Sequence, residues 1–462
     1  MTGGYLDAAS GLPWHPVAIE AMQAALADGW ADPGKLTGTS RRSAVLLDAA
    51  RAAVAAEFGI QPDELIFCPS GAAALHLAVL GSLAGRHRAG RTLVHSAVEH
   101  SAVFKAADWH AARGGTVSVV GVDGTGRVDP HAFLAAAAAP GVATAVLQAA
   151  NHEVGTRQPV AEVAAGLTEL AAGPVPLVVD ASQELVYGEP PAAPIFTADP
   201  RLWGGPAGVG LLVVRRGTRW QPPFPTDETE AGRGLGALNV PAVVGAAAAL
   251  RATRADRLAQ ADRLAGYLDQ LRARLPELVP DAMLLGPEQA ADRLPQLLTF
   301  SCPYVDGEAL LTELDRHGFA VSSGSSCTAD SLTPSHVLVA MGALSSGNLR
   351  ISLHPGVEQA DLDRFLNMLP VVLSDVRSVN APPLPTGIDE GENAVVDSRG
   401  RRCPLPILDL ARALPTIPIG ARLTVLADDP AAANDIAAWC RMTGQQLLDC
   451  DDLGRYRVRR VR

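Results

Sequence analysis

Two hydrophobic patterns alternate along the first half of the chain. Short, mostly apolar runs at 65–68, 92–95, 116–122, 144–147, 177–179 and 209–215 predict strands. Between them, Ala-rich stretches with apolar residues at helical spacing predict helices at 72–83, 101–113, 130–138 and 159–171. Because strands and helices alternate, we predict an α/β fold with a mostly parallel sheet that is covered on both faces.

Two helices, at 16–28 and 43–57, are predicted before the alternating region. After it the pattern changes twice: first a long connecting helix at 241–275 is followed by a smaller α+β unit at 297–375. A stretch rich in Pro, Gly and acids at 379–392 then predicts a linker, which fully extended would reach roughly 45 Å. The pattern after it is β-α-β-α-β-β. We therefore predict domains at 1–378 and 393–462, joined by the linker 379–392.

Composition and charge narrow the classes of function. The net charge of −11 argues against nucleic acid or an anionic membrane as the main partner. The six cysteines form no C-x-x-C pair and are too sparse for a disulfide scaffold. The N-terminal residues lack the basic and apolar regions of a signal peptide, and no apolar run is long enough to span a bilayer. These features predict a cytoplasmic protein with free thiols.

One cysteine lies in a loop-forming stretch. Cys327 ends the sequence S-S-G-S-S-C, which shows neither strand nor helix periodicity. A thiol on a loop is suited to carrying a group between two places. The alternative is a cysteine without a role, and the stretch alone does not decide between them.

A second cysteine, Cys403, stands in R-R-C-P-L-P at the predicted start of a helix. Pro404 suits the first helical position, since its missing N–H costs nothing there. The helix dipole, with Arg401 and Arg402, should lower the pKa of the thiol. We predict a reactive thiolate at Cys403, the alternative being an inert cysteine.

Polar residues follow the predicted strands. Asp180 ends the apolar run L-V-V-D, Gln183 follows it, and His100 begins a helix after the strand at 92–95. The carboxyl ends of sheet strands are where α/β proteins bind ligands. Asp180 can hold a protonated ring nitrogen or cap a helix. Gln183 can donate to a ring oxygen, and His100 can stack on a flat ligand and shuttle protons as a catalytic residue, or simply begin its helix.

Two further segments carry candidate ligand contacts. In N-H-E-V-G-T-R-Q-P, Asn151 and Glu153 can contact a ligand while Gly155 permits the turn. Arg350, in N-L-R-I-S-L, can clamp a substrate carboxylate with two hydrogen bonds or form a surface salt bridge.

Taken together, these positions resemble a known family. Residues 1 to about 376 resemble the cysteine desulfurases, pyridoxal-phosphate (PLP) enzymes of the NifS/IscS group. The resemblance rests on Y-L-D-A-A-S-G, S-G-A-A-A-L-H-L-A, E-H-S-A-V, N-H-E-V-G-T-R-Q-P, D-A-S-Q, W-G-G-P-A-G-V-G, S-S-G-S-S-C and L-R-I-S-L. Residues 394–462 resemble the TusA-like sulfur carriers through C-P-x-P, D-D-P and G-R-Y-R-V. The implied fold is a fold type I PLP-dependent transferase with large and small subdomains, followed by a two-layer TusA-like sandwich.

The resemblance also implies roles for individual residues. In the family, PLP held by a lysine reacts with L-cysteine, a loop thiolate takes the sulfur as a persulfide, and alanine leaves. By position, that thiolate is Cys327, and Cys403 accepts its sulfur. The other implied contacts are Asp180, Gln183 and His100 on the PLP ring, Gly71, Ala72 and Arg201 at its phosphate, Asn151 beside cofactor and substrate, and Arg350 on the substrate carboxylate. The resemblance further implies a homodimer.

The chain departs from the family at the catalytic lysine. Leu202 stands in its place and cannot form an imine, and Arg201, at the preceding histidine position, stays protonated. The chain has two lysines, Lys35 in a loop matching one near the active-site mouth and Lys105 in a helix.

The phosphate site departs as well. Ala72 replaces a threonine, and Asp199 replaces a serine, which brings an anion to the phosphate unless Arg201 neutralises it. Ala237 replaces the threonine that reaches across the dimer.

Two functions follow from the sequence, with a third behind them. The first is sulfur mobilisation from L-cysteine, with a persulfide passed from Cys327 to Cys403 and on to an acceptor protein. The second is a lysine-less protein that runs no PLP chemistry and relays sulfur from a persulfide donor or serves as a scaffold. The third is a different reaction that uses Asp180 and His100 on another ligand.

Overall fold

The computed structural model describes residues 4–171, 173–234, 236–323, 334–379, 393–451 and 453–462. Cys327 and residues 380–392 of the predicted linker lie outside these ranges. The described strands form three sheets of seven, three and four strands. None of the described helices is long and apolar enough to cross a membrane.

The seven-stranded sheet forms the centre of the larger unit. Its strands are β1 (Leu65–Cys68), β2 (Thr92–Ser96), β3 (Thr116–Val120), β4 (Val142–Val146), β5 (Leu177–Asp180), β6 (Ile195–Ala198) and β7 (Gly210–Val214). They are ordered β1-β7-β6-β5-β4-β2-β3. Strands β2 to β6 pair in parallel, and β7 is antiparallel to β1 and β6. The predicted mostly parallel sheet is therefore confirmed.

Helices cover both faces of this sheet. They are α1 (Pro16–Ala25), α2 (Gly38–Phe58), α3 (Gly71–Gly85), α4 (Ser101–Ala111), α5 (Pro130–Ala137), α6 (Val160–Thr168) and α7 (Val240–Ala255). One core joins the sheet to α2, α5, α6 and α7, and a second joins its other face to α3 and α4. Helices α3 and α4 begin after the carboxyl ends of β1 and β2, which brings their N-termini to the edge where ligands bind in such folds.

A smaller unit follows. It contains α8 (Arg257–Leu278), β8 (Met283–Leu285), β9 (Leu297–Ser301), α9 (Gly307–Arg316), α10 (His336–Met341), β10 (Asn348–Ser352) and α11 (Gln359–Val379). Its strands form an antiparallel sheet in the order β10-β9-β8. The single helix predicted at 241–275 is wrong. It is two helices, because the backbone leaves helical geometry at Asp256, with φ −114° and ψ 11°.

The C-terminal unit has the predicted order of elements. It comprises β11 (Asn393–Asp397), α12 (Leu405–Ala413), β12 (Arg422–Leu426), α13 (Ala432–Thr443), β13 (Gln446–Cys450) and β14 (Arg455–Arg459). The sheet order is β11-β12-β14-β13, and the buried residues of both helices pack with it in one core. The domain limits 1–378, 379–392 and 393–462 stay a prediction.

Candidate functional site

A cavity of about 230 Å³ lies at the carboxyl ends of the central strands. Asp180 ends β5, Gly71 begins α3, and His100 caps α4, so the loops after separate strands meet there. The lining residues are Ala9, Ser10, Gly71, Ala72, Leu75, His100, His152, Asp180, Ser182, Gln183, Asp199, Arg201, Leu202, Ser322 and Arg350. The structure thus brings together most of the residues that the sequence singles out for a flat ligand.

Two histidines lie edge to face in this cavity. The rings of His100 and His152 are 5.3 Å apart with an interplanar angle of 62°, and His100 Nδ1 accepts a hydrogen bond from Ala102 N at 3.1 Å. Burial, with the nearby charges of His100 and Arg350, holds the pKa of His152 well below its usual value, so its ring is neutral near pH 7. Sequence reasoning missed His152, because a histidine between Asn151 and Glu153 carries no signal of its own.

The polar groups at the ring-binding end already have protein partners. Asp180 Oδ1 accepts hydrogen bonds from Ser182 N and Oγ at 3.1 and 2.6 Å. Gln183 Nε2 donates to the carbonyl of Ala9 at 3.0 Å. One of the amide hydrogens that the sequence assigns to a ring oxygen is therefore used within the protein.

Asn151 is not among the described residues that line the cavity. Its side chain is fully buried, Nδ2 donates to the carbonyl of Val98 at 3.0 Å, and Oδ1 accepts from the backbone N–H groups of Glu153 and Val154 at 2.8 Å each. In this geometry the Asn151 amide holds the shape of the loop, and its contact with cofactor and substrate stays a prediction.

Arg350 lines the cavity as a buried cation. Its Nη2 donates to Asp7 Oδ1 and to Ser10 Oγ, each at 2.6 Å, and its Nη1 donates to the carbonyl of His152 at 2.8 Å. The surface salt bridge considered from the sequence is thus a largely buried ion pair with Asp7. A substrate carboxylate would have to compete with Asp7 for this guanidinium.

A carboxylate lies at the N-terminus of α3. Asp199 lies so close to Gly71 that a Cβ added at Gly71 would be 2.7 Å from Asp199 Oδ2. Arg201 donates to both carboxylate oxygens, its Nη2 at 2.7 Å from Oδ2. An internal ion pair therefore occupies the helix end that the family resemblance assigns to a phosphate.

The lysines lie elsewhere. Leu202 lines the cavity and is 7% exposed. Lys35 is exposed, 3.8 Å from Asp32, and lines a separate groove with Ala237, whereas Lys105 is exposed beside Asp108. Because the chain has these two lysines alone, and the structure describes both, no lysine amine lies at the cavity.

Two buried carboxyl groups lie next to the cavity histidines in the chain. Glu99 accepts hydrogen bonds from Ser96 Oγ at 2.6 Å and Gln148 N at 3.1 Å, and Glu153 Oε2 accepts from Ser335 Oγ at 2.8 Å. Burial raises the pKa of Glu99 to about 8 and that of Glu153 to about 7. Glu99 is therefore mainly uncharged at neutral pH.

This protonation predicts a dependence of stability on pH. The pKa of Glu99 is about 8 in the folded chain against an ordinary 4.5, so its contribution is fully present below pH 4.5 and is lost as the pH rises through 8. Between these limits the wild-type protein should lose on the order of 4 kcal/mol of its free energy of unfolding. The Glu99→Gln variant should not show this loss. Urea unfolding of wild type and variant from pH 5 to 8.5 measures the difference.

The variant Glu277→Gln, at an exposed position of α8, is the matched control and should retain the wild-type pH dependence. Equal slopes for wild type and Glu99→Gln would contradict a protonated Glu99.

Cys403 is half-buried in the C-terminal unit, ahead of α12, which begins at Leu405. Its backbone N–H donates to Asp429 Oδ2 at 3.2 Å. Burial raises the pKa of the thiol, and the charges of Asp435 and Asp429 raise it further. The predicted lowering of this pKa is wrong, because the thiol is partly buried and two carboxylates act on it, while Arg401 pairs with Asp409 at 3.0 Å.

The described residues contain no group of three or more His, Cys, Asp or Glu side chains that could hold a metal ion. Cys68, Cys302 and Cys440 are buried, and burial raises the pKa of each thiol, to about 12 for the first two and about 11 for Cys440. Cys403 and the exposed Cys450 are the more accessible of the described cysteines.

Comparison with known proteins places both parts of the chain. The class V aminotransferase family matches residues 4–365, and the TusA sulfurtransferase family matches residues 394–460. A cysteine desulfurase of Cereibacter sphaeroides is 33% identical over 415 residues, which cover 84% of this chain and 98% of that protein. The cysteine desulfurase IscS of Dictyoglomus turgidum is 28% identical over 81% of this chain and 96% of its own length.

Solved structures agree. A NifS-like protein superposes with a TM-score of 0.74 at 25% identity, covering 80% of this chain and 99% of that structure. DndA from Streptomyces lividans superposes with a TM-score of 0.61 at 29% identity, covering 75% and 99%. The predicted fold, with a PLP-enzyme-like α/β unit and a separate small C-terminal sheet, is confirmed.

Proposed function

Because the chain belongs to the class V aminotransferase family and ends in a TusA sulfurtransferase domain, we propose that it passes sulfur as a persulfide from Cys327 to Cys403 and then to an acceptor protein. Its relatives and its second domain both support sulfur mobilisation and transfer. The observation that carries the proposal is the presence of both thiols in one chain, one in the S-S-G-S-S-C sequence and one in C-P-L-P. The tether raises the effective concentration of one thiol at the other.

Each transfer is a thiol–persulfide exchange. The thiolate of Cys327 attacks the outer sulfur of a donor persulfide, the donor S–S bond breaks, and the donor leaves as a thiolate that takes up a proton. The thiolate of Cys403 then attacks the outer sulfur of the Cys327 persulfide in the same way. No net oxidation occurs, since each S–S bond that breaks is replaced by one that forms.

The source of the sulfur depends on the cavity. Membership of the family implies PLP as cofactor. Here Leu202 offers no amine and Ala72 offers no hydroxyl. The carboxylate of Asp199 occupies the N-terminus of α3, where a phosphate would bind. Asp180 and His100 suit a flat ring, but the residues at the anchoring positions do not fit PLP. We propose that sulfur enters as a persulfide from another protein or a small molecule.

L-cysteine is the competing source, since the relatives are named cysteine desulfurases. Sulfur would then appear on the chain together with alanine. The two sources are distinguished by supplying each alone and measuring both products.

A homodimer is also proposed. Large apolar side chains of α1, α2 and the loop between them are exposed, including Trp30 at 71% and Leu36 at 93%. Contiguous exposed apolar surface is typical of protein interfaces. The expected partners are thus a second copy, a persulfide donor and an acceptor protein, with neither nucleic acid nor membrane proposed.

The route is tested by labelling. After incubation with a persulfide donor, mass spectrometry of the cysteine peptides should show one added sulfur on Cys327 and on Cys403. In Cys327→Ser, labelling of Cys403 should fall by at least about tenfold, because a free donor lacks the effective concentration that the tether gives the Cys327 persulfide. Equal labelling of Cys403 with and without Cys327 would contradict the proposed order.

A further inference from the structure

The C-terminal domain is docked on the smaller unit by a short loop, residues 342–345, between α10 and β10. Asn434 Nδ2 donates to the carbonyl of Ala343 at 2.7 Å, and Arg441 Nη2 donates to that of Gly342 at 2.6 Å. Leu344, 1% exposed, belongs to the hydrophobic core of the C-terminal domain. A side chain of one domain thus completes the core of the other.

A second contact supports the same docking. Trp439 Nε1 donates to the phenol oxygen of Tyr304 at 2.8 Å. Tyr304 has a φ of +66°, an uncommon backbone conformation for a residue other than glycine. Tyr304 also packs against the C-terminal core, as does Met283.

Asp435 joins this interface to the sulfur site. It is fully buried in the first turn of α13, and its Oδ1 accepts hydrogen bonds from Ser345 N and Oγ, each at 2.8 Å. Its other oxygen, Oδ2, is buried without a hydrogen-bond partner. An unpartnered buried carboxylate oxygen is costly, so its retention calls for an explanation. Cys403, which packs against the same C-terminal core, supplies one, because the Asp435 carboxylate helps to raise the pKa of that thiol.

We propose that Asp435 is a positioning residue that couples domain docking to the reactivity of Cys403: while Ser345 holds its carboxylate, the thiol stays protonated and the carrier is at rest. Release of the domain removes the Ser345 donors and hydrates Asp435. Water then screens its charge, and the thiol ionises more readily. This inference rests on the proposed function only for the task of Cys403 as sulfur carrier.

Other charged and titratable groups near the thiol do not replace this effect. Asp429, ahead of α13, accepts from the Cys403 backbone, and Tyr456 of β14 lies near the thiol. Arg401, two residues before the thiol, pairs with Asp409 of α12. Of the two carboxylates that act on the thiol, Asp435 alone is hydrogen-bonded to the smaller unit in the described structure.

The test is the pH profile of Cys403 alkylation in the full-length chain, read by mass spectrometry of its peptide. Asp435→Asn keeps the size of the side chain and an oxygen for Ser345 but removes the charge. It should lower the midpoint of the profile by at least about one pH unit, a tenfold rise in rate below the midpoint. Leu344→Asp, which places a charge in the docking core, should do the same and should also expand the molecule in small-angle X-ray scattering.

Leu453→Asp, on the exposed surface of the same domain, is the matched control and should change neither measurement. An unchanged profile in Asp435→Asn, with scattering like wild type, would mean that steric burial alone protects the thiol and would overturn the proposal. An unchanged profile in an expanded Leu344→Asp would overturn it too. Alkylation requires no sulfur donor, so either result leaves the proposed sulfur route to its own test.

Discussion

A Cys403→Ser variant is expected to lose delivery of sulfur to an acceptor protein by at least about 100-fold, because a hydroxyl forms no persulfide and is a far weaker nucleophile than a thiolate. The variant should fold normally, since Cys403 is half-buried and serine is close to it in size. Cys327 should still gain sulfur from a persulfide donor and should retain it for longer than in wild type. The amounts of labelled sulfur on Cys327 and on a purified protein that accepts sulfur from a TusA domain measure the two steps.

Cys450→Ser is the control for this variant. Cys450 is an exposed cysteine of the same domain, and its loss should leave delivery unchanged. Delivery at the wild-type rate by Cys403→Ser would exclude Cys403 from the route. Loss of labelling at Cys327 as well would show that Cys403 acts before Cys327.

The second large effect concerns PLP. Wild-type protein mixed with PLP should show no imine absorbance, and Leu202→Lys alone should gain little. The new amine would line the cavity, but the Asp199 carboxylate would still occupy the helix end at which the PLP phosphate would bind. The double variant Leu202→Lys/Asp199→Ser should bind PLP roughly 10- to 100-fold more tightly than the single variant, because it removes a like charge from the phosphate position. Absorbance titration measures both affinities.

A matched variant guards against a misleading signal. The double variant Lys35→Arg/Lys105→Arg keeps the charge of both exposed lysines but removes their imine-forming amines, so any absorbance lost in it comes from these surface groups. A yellow wild-type protein whose colour survives this double change would contradict our account of the cavity. Equal affinity in the single and double variants would show that Asp199 is no obstacle.

The sequence predicts the architecture well because its periodicity is strong. The β-α-β-α-β-β order of the C-terminal domain and the mostly parallel sheet are both as predicted. Strand β6, Ile195–Ala198, was absent from the prediction, since a short apolar run between prolines gives little signal. The break at Asp256 was also missed, because apolar spacing continues on both sides of it.

The site is less predictable, since its electrostatics depend on contacts between distant segments. Asp7 and Arg350 are far apart in the chain, and nothing local pairs them. For Cys403, the adjacent arginines predicted a low pKa. The structure instead partly buries the thiol, brings Asp435 and Asp429 to it and directs Arg401 to Asp409, so the pKa is raised. Local sequence fixes which groups are present near a thiol, and tertiary packing decides which of them act on it.

The most direct measurement of the central claim is a competition between sulfur sources. The purified chain is given isotopically labelled L-cysteine together with PLP and an unlabelled persulfide donor, and the isotope on Cys403 and the alanine formed are both measured. We predict that Cys403 carries unlabelled donor sulfur and that no alanine accumulates. Labelled sulfur on Cys403, with alanine in matching amount, would contradict a PLP-independent relay and show that the chain takes its sulfur from cysteine.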